Sequence, residues 1–392
     1  MLLCILGHQP GLGAAELEAV AGADVIKSVG SEYALLDMKT GSLQHKELGG
    51  VIKIADVVAI VPSPQWGKAF SATVDETVKR LTETAERTGH KVTFGLSVYG
   101  SFASSKKTST LAFTIKKRLG EKGCNVKVVL GEDTTLNSAS VIHNKLLGES
   151  GAEFLLVAGK GETYIAKTLS VQDIDRYAVR DSKRPKRDTQ VGMLPPKLAQ
   201  MMLNLAKVGP GMTVLDPFCG TGVVLIEAAL KNAKLMGSDI NPKMIEYTKA
   251  NLEWLSKDYG ASVDVKKLAA GDATTYRWKD HIDRVVTETY LGKPFAYQPS
   301  EEELKSEMDE CDELITKFLA NLKPQLKTES RCSIAIPAWS TPKGLVRLPV
   351  IRKLEALGYE RVRFSHATFE QMIYRRPDQM VARELLVLTP KQ

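Results

Sequence analysis

The chain has 392 residues, 43% hydrophobic and 25% charged, with a net charge of +7 and a pI near 8.9. This balance excludes a disordered chain, predicts two or three globular domains, and suits a nucleic-acid partner without requiring one. No apolar run approaches the ~18 residues that span a bilayer, and five scattered cysteines without a CxxC pair and six dispersed histidines point away from a disulfide framework or a metal site.

The opening Met1 to Gly7 lacks a basic leader and reads as a first strand at Leu2–Leu6, so a cytoplasmic protein is expected. Residues 1–65 read as a small α+β domain. A helix is expected at 14–21 and strands at 23–29 and 32–36, followed by an apolar stretch at 51–60, with Pro62, Pro64 and Gly67 punctuating the end. Residues 66–170 read as a second α+β domain. It should hold helices at 74–86, 110–119 and 138–147, and strands at 92–99, 126–130, 153–157 and 164–167. Lys106, Lys107, Lys116 and Lys117 give it the look of an RNA-binding module, or simply of a solvated face.

Residues 171–190 read as a basic linker, interrupted by Pro185. Six basic residues stand against three acids between 175 and 188, so Arg184 and Arg187 are candidate phosphate contacts. The pair Pro195-Pro196 then announces a helix at 197–206.

At Thr213 the pattern changes. Thr213-Val214-Leu215-Asp216 is a buried parallel strand ending in an acid; Pro217-Phe218-Cys219-Gly220-Thr221-Gly222 is a tight loop; Val223 to Leu230 is a helix. A phosphate loop needs Lys then Ser or Thr after its last glycine, but Val223 and Val224 stand there. A dinucleotide fingerprint needs a third glycine where Leu225 lies. Asp216 itself repels a phosphate and suits a ligand with an amine, which fits the methionine part of S-adenosylmethionine; a glycine turn in some other α/β protein is the alternative. A second strand, 235–239, ends in Asp239, placed to accept ribose hydroxyls, with Ile240 beside it. After a helix at 244–255, a third strand at 263–268 leads to Gly271-Asp272-Ala273, where Asp272 could accept from an adenine amine. Each acid alone is more often a cap or turn residue. A fourth strand from 283 opens into Glu288-Thr289-Tyr290, and later strands are expected at 333–338, 360–364 and 384–388. Cys219 sits inside the loop, where a covalent role is not expected.

Residues 214–229, with Asp239-Ile240-Asn241-Pro242 and Gly271-Asp272-Ala273, resemble class I S-adenosylmethionine-dependent methyltransferases. Asp216-Pro217-Phe218-Cys219-Gly220-Thr221-Gly222 looks like the form found in amine-methylating members, and the whole layout is similar to the THUMP-containing tRNA guanine-N2 methyltransferases. The resemblance implies a ferredoxin-like domain at 1–65, a THUMP-like domain at 66–170 and a methyltransferase domain at 191–392. That last domain would be a mostly parallel seven-stranded sheet closed by a C-terminal antiparallel hairpin. It also implies tRNA as partner, with a small protein activator or a homodimer left open. The cofactor set is then Asp216, Pro217, Phe218, Gly220, Thr221, Gly222, Asp239, Ile240, Asp272 and Ala273. The family's acceptor motif is Asp or Asn, Pro, Pro, then Tyr or Phe; here both prolines are gone. Glu288 takes the acid's place, and Tyr290 stands one position early as the base-stacking aromatic. Methylation of a guanosine N2 is expected; a non-catalytic RNA-binding relative, or a methyltransferase for DNA or another amine, is the alternative.

Overall fold

A computed structural model describes residues 1–188, 193–295, 297–376 and 379–391. The chain divides into two compact units, one of residues 1–10, 21–47 and 51–175, the other of residues 11–20, 48–50 and 176–392.

The first unit is built on one eight-stranded sheet. In sheet order its strands are Ile26–Val29, Tyr33–Leu36, Leu2–Leu6, Val51–Val61, Thr163–Val171, Gly151–Ala158, Val92–Tyr99 and Val126–Val129. The long strand Val51–Val61 pairs antiparallel with Leu2–Leu6 and with Thr163–Val171, so the sheet runs on past residue 65. Helices Trp66–Thr88 and Ser105–Glu121 supply Val74, Val78, Leu81, Leu111 and Ile115 to a core with Phe94, Leu96 and Val98. The first helix ends at Gly89 in the left-handed conformation (φ +64°), its N–H returning to the Ala85 carbonyl. The helix expected at 138–147 stops at His143, and Lys145 takes a left-handed φ of +53°.

A buried ion pair crosses this sheet. Glu153 accepts from Lys53 Nζ, from Ser97 Oγ at 2.6 Å and from Thr168 Oγ1 at 2.7 Å. Removing one partner strands the other charge in the core. Glu153→Ala is therefore expected to cost about 3–5 kcal/mol in urea denaturation, and Lys53→Met added to it should recover most of that loss. Equal midpoints for the single variant and the parent would refute the assignment.

The second unit is a nine-stranded sheet with seven strands on its main path. These are β1 (Thr213–Asp216), β2 (Lys234–Asp239), β3 (Leu268–Ala270), β4 (Arg284–Glu288), β5 (Arg331–Thr341), β6 (Tyr359–Arg361) and β7 (Val381–Pro390), in the order β3-β2-β1-β4-β5-β7-β6. The first five are parallel to their neighbours; β7 runs antiparallel between β5 and β6. Gly344–Arg347 pairs with β5, and Ile373–Tyr374 with β7. One face packs on α1 (Pro196–Leu205), α2 (Val223–Leu230) and α3 (Pro242–Tyr259), the other on α4 (Glu301–Leu322). Cover on both faces explains why consecutive residues, Val214-Leu215 in β1 and Val285-Val286 in β4, are apolar and buried.

Two sequence expectations are corrected. The strand expected at 263–268 is only Leu268–Ala270. Asp264 Oδ1 accepts from the Lys266 N–H at 2.9 Å, and that local bond draws the backbone into a turn. The stretch expected as a linker is helical over Ile174–Ser182. Its Arg180 is buried and bonds Glu227 of α2 through Nε at 2.5 Å and Nη2 at 3.2 Å.

Candidate cofactor and acceptor site

The parallel strands end together at one edge, where open α/β sheets bind their ligands. Asp216 closes β1 and is 2% exposed. Its Oδ1 accepts from Thr287 Oγ1 at 2.6 Å and from the Phe218 N–H at 3.2 Å. Burial drives its carboxyl up to about 7, the nearby charges of Asp239 and Glu288 add to the rise, and the two hydrogen bonds oppose it.

The loop after β1 needs its glycines. Gly220 and Gly222 hold φ of +49° and +85°. A Cβ on Gly222 would lie 2.9 Å from Thr248, so this position also needs the missing side chain for space. Thr221 is buried, with its carbonyl accepting from Asn251 Nδ2 at 2.8 Å. Pro217 precedes Phe218, whose ring meets Phe318 edge-on at 5.0 Å. The Cys219 thiol is raised well above its ordinary range, by burial first and then by Asp216 and Asp239, which leaves it inert as a nucleophile.

Asp239 ties the loop to β2. Its Oδ2 accepts from the Gly220 N–H and its Oδ1 from the Asn241 N–H, both at 2.9 Å. Each oxygen keeps a lone pair for a hydroxyl. Ile240 beside it is 72% exposed, an apolar platform with no protein cover. Asp272 is exposed, with Oδ1 turned onto the Thr274 N–H and hydroxyl, both at 2.8 Å; Ala273 is buried. These side chains fit an adenosyl nucleoside carrying an amine: an apolar face, carboxylates at successive strand ends, and a loop held open by glycine.

The acceptor loop begins at Glu288, the last residue of β4. Its Oε1 accepts from Arg383 Nε at 2.5 Å. Burial raises the Glu288 carboxyl, and Arg383 pulls it back. Thr289 is buried, its N–H and Oγ1 both directed to the Ala335 carbonyl at 2.9 and 3.2 Å. Tyr290 is partly exposed and donates its hydroxyl to Glu307 at 3.3 Å, and burial together with Glu307 and Glu310 pushes that hydroxyl up to about 12. Sequence reading missed Thr287, Arg383 and Glu307. Thr287 lies 71 residues from Asp216, and Arg383 lies 95 from Glu288, so no local spacing announces either.

The expected RNA contacts fall in different settings. Lys106, Lys116 and Lys117 are exposed on Ser105–Glu121, whereas Lys107 lies over the Trp66 ring at 5.1 Å. Lys116 also lines an open groove of about 340 Å³ with Phe113, Lys91 and Lys127. Arg187 is exposed. Arg184 is not a surface contact: it is 2% exposed, with all three guanidinium nitrogens enclosed and, among the described residues, without a hydrogen-bond partner. The sequence also suggests a basic turn at 375–379, its arginines either RNA contacts or solvated; it includes Pro377 and Asp378, which lie outside the described residues. Among the described residues no helix is long and apolar enough to cross a membrane.

Comparison with known proteins adds the following. The family model for the RMKL-like methyltransferase domain, UPF0020, matches residues 183–365. The chain is 26% identical over 354 residues to the tRNA (guanine(10)-N2)-dimethyltransferase of Methanothermobacter thermautotrophicus, covering 88% of this chain and 91% of that protein. It is 36% identical over 148 residues to the tRNA (guanine(10)-N2)-dimethyltransferase of Pyrococcus abyssi, covering 37% and 39%. The crystal structure of TrmN from Thermus thermophilus superposes with a TM-score of 0.54 at 17% identity over 99% of both chains, a likeness of fold.

Proposed function

We infer that the chain is a class I S-adenosylmethionine-dependent tRNA guanine-N2 methyltransferase, as its similarity to such enzymes supports, and that it transfers a methyl group to the exocyclic N2 amine of a guanosine in tRNA. The observation that carries the reading is the row of strand-end groups: Asp216, the Gly220 loop and Asp239 for the cofactor, with Glu288 one strand away for the amine.

S-adenosylmethionine supplies an electrophilic methyl on a sulfonium whose sulfur leaves with the bonding electrons. Asp216 would take the cofactor's amine, Asp239 its ribose hydroxyls and Ile240 one face of its adenine, with Asp272 at the adenine edge. Pro217, Phe218, Thr221 and Ala273 shape the walls. The guanine N2 lone pair is delocalised into its ring, so the amine is a weak nucleophile. A carboxylate accepting from N2–H orients it and stabilises positive charge as the new N–C bond forms. Glu288 would do that work and take the proton the nitrogen then sheds. Tyr290 lies on the same loop as a stacking surface, although its hydroxyl is turned to Glu307. Thr289 holds the loop to β5.

We assign the sheet domain of residues 1–170, in its ferredoxin-like and THUMP-like parts, to holding the RNA, with Lys106, Lys116, Lys117 and Arg187 as phosphate contacts. The enzyme would work in the cytoplasm. The test is incubation of unmodified tRNA with S-adenosylmethionine, followed by nucleoside mass spectrometry. N2-methylguanosine is the expected product, in its mono- or dimethyl form. Methyl on another atom, or cofactor binding without transfer to any RNA, would overturn the reading.

A further inference from the structure

We propose that Arg383 is a specificity-determining residue that reads guanine O6, so that Glu288 and Arg383 together recognise the Watson–Crick edge of the target base. The inference rests on the N2 methylation proposed above and names how the base is chosen.

The pair is formed across three strands. Glu288 of β4 pairs in register with Ala335 of β5, and Arg383 of β7 with Pro337 of β5. Residues 335 and 337 share one face of β5, so Glu288 and Arg383 rise on the same face with β5 between them. Ala335 and Pro337 are small, and the guanidinium crosses above them. Arg383 is only 6% exposed. Its Nε is committed to Glu288 Oε1. Among the described residues its two Nη nitrogens have no hydrogen-bond partner, yet neither is sealed from solvent. The same holds for Glu288 Oε2. These outer donors, open to solvent, are available to a ligand.

The open atoms carry a pattern. Across the pair the order is acceptor (Oε2), acceptor (the remaining lone pair of Oε1), donor (Nη). The guanine edge reads donor (N2–H), donor (N1–H), acceptor (O6), its complement in the same order. Arg is suited to this because its donors are rigidly spaced, and the Nε bond to Glu288 fixes where the Nη groups point. The absent family prolines are thereby accommodated: the chain fixes its acid with an arginine from the far strand.

Synthetic tRNA in which the methylated guanosine is replaced by 2-aminopurine keeps the N2 amine and lacks both O6 and the N1–H; only the O6 share of the resulting preference depends on Arg383. The wild-type enzyme is expected to prefer guanosine in kcat/KM by about 10²-fold or more. In Arg383→Lys and Arg383→Met that preference should shrink by roughly tenfold or more, through the guanosine substrate. Lysine keeps a positive charge beside Glu288, which guards against loss of fold, and melting curves check both variants. A guanosine preference unchanged in the folded variants would overturn the assignment and make Arg383 a neutralising partner alone. A wild-type enzyme that methylates no guanosine would overturn the N2 reading itself, and this inference with it.

Discussion

Glu288→Gln is expected to lower kcat by roughly 10²–10³-fold while leaving cofactor affinity within about threefold. Gln keeps the shape and one acceptor but loses the charge that stabilises the developing cation and the site that takes the proton. The groups proposed to hold the cofactor, Asp216, Asp239 and Ile240, are untouched, so calorimetry with S-adenosylhomocysteine separates the two effects. Arg383 loses its anion, and a stability loss of about 1–3 kcal/mol should accompany the change. The pH profile gives a second readout. Burial raises the Glu288 carboxyl above its ordinary range, so wild-type activity should fall as pH drops through that raised value. At saturating cofactor, where the Asp216 titration no longer limits the rate, the variant should lose that acidic limb. A variant with wild-type kcat would remove Glu288 from the mechanism.

Asp216→Asn is expected to stabilise the cofactor-free protein and weaken the cofactor together. The Asp216 carboxyl rises from 3.8 to about 7, chiefly through burial. Its folded value therefore lies above its unfolded value, and between these the folded state holds the extra proton. Stability then falls as pH rises from about 4 to about 7, and the loss is complete above that window. A rise of this size corresponds to about 4 kcal/mol at alkaline pH, which asparagine would restore in part. Urea melts of both proteins at pH 4.5 and 8 should show the gain only at the higher pH. The ionised form is the one that accepts from the cofactor's amine, so binding should strengthen as pH rises through 7 in the wild type. Asparagine should cost roughly 10²-fold in affinity and flatten that dependence. A destabilised variant that still binds tightly would contradict both arguments. The strain at Asp216 is the kind a binding site retains because it serves the ligand rather than the fold.

Several features were legible in the residues because they are local. A strand, an acid and a glycine turn within Thr213–Gly222 specify a ligand loop whatever surrounds them, since φ at Gly220 and Gly222 and the apolar run before them are set by adjacent residues. Asp239 follows from the same grammar one helix later. The antiparallel closure by β6 and β7 was expected from the family resemblance, with strands at 360–364 and 384–388. Where local bonds compete with the pattern, reading failed. Asp264 turned an expected strand into a bend, and charged residues at 175–188 concealed a helix whose Arg180 is buried on Glu227.

The sequence by itself determined the fold class and the cofactor, and it named the acid proposed to meet the acceptor, because strand, loop and helix signals lie within a few residues of one another. Only the tertiary structure decided how those acids are held. Thr287 steadies Asp216, Arg383 clamps Glu288, and Arg184, read as a surface cation, lies buried. The physical reason is separation along the chain. A hydrogen bond between residues 71 or 95 positions apart leaves no periodicity to read, and it exists only once β4, β5 and β7 lie side by side.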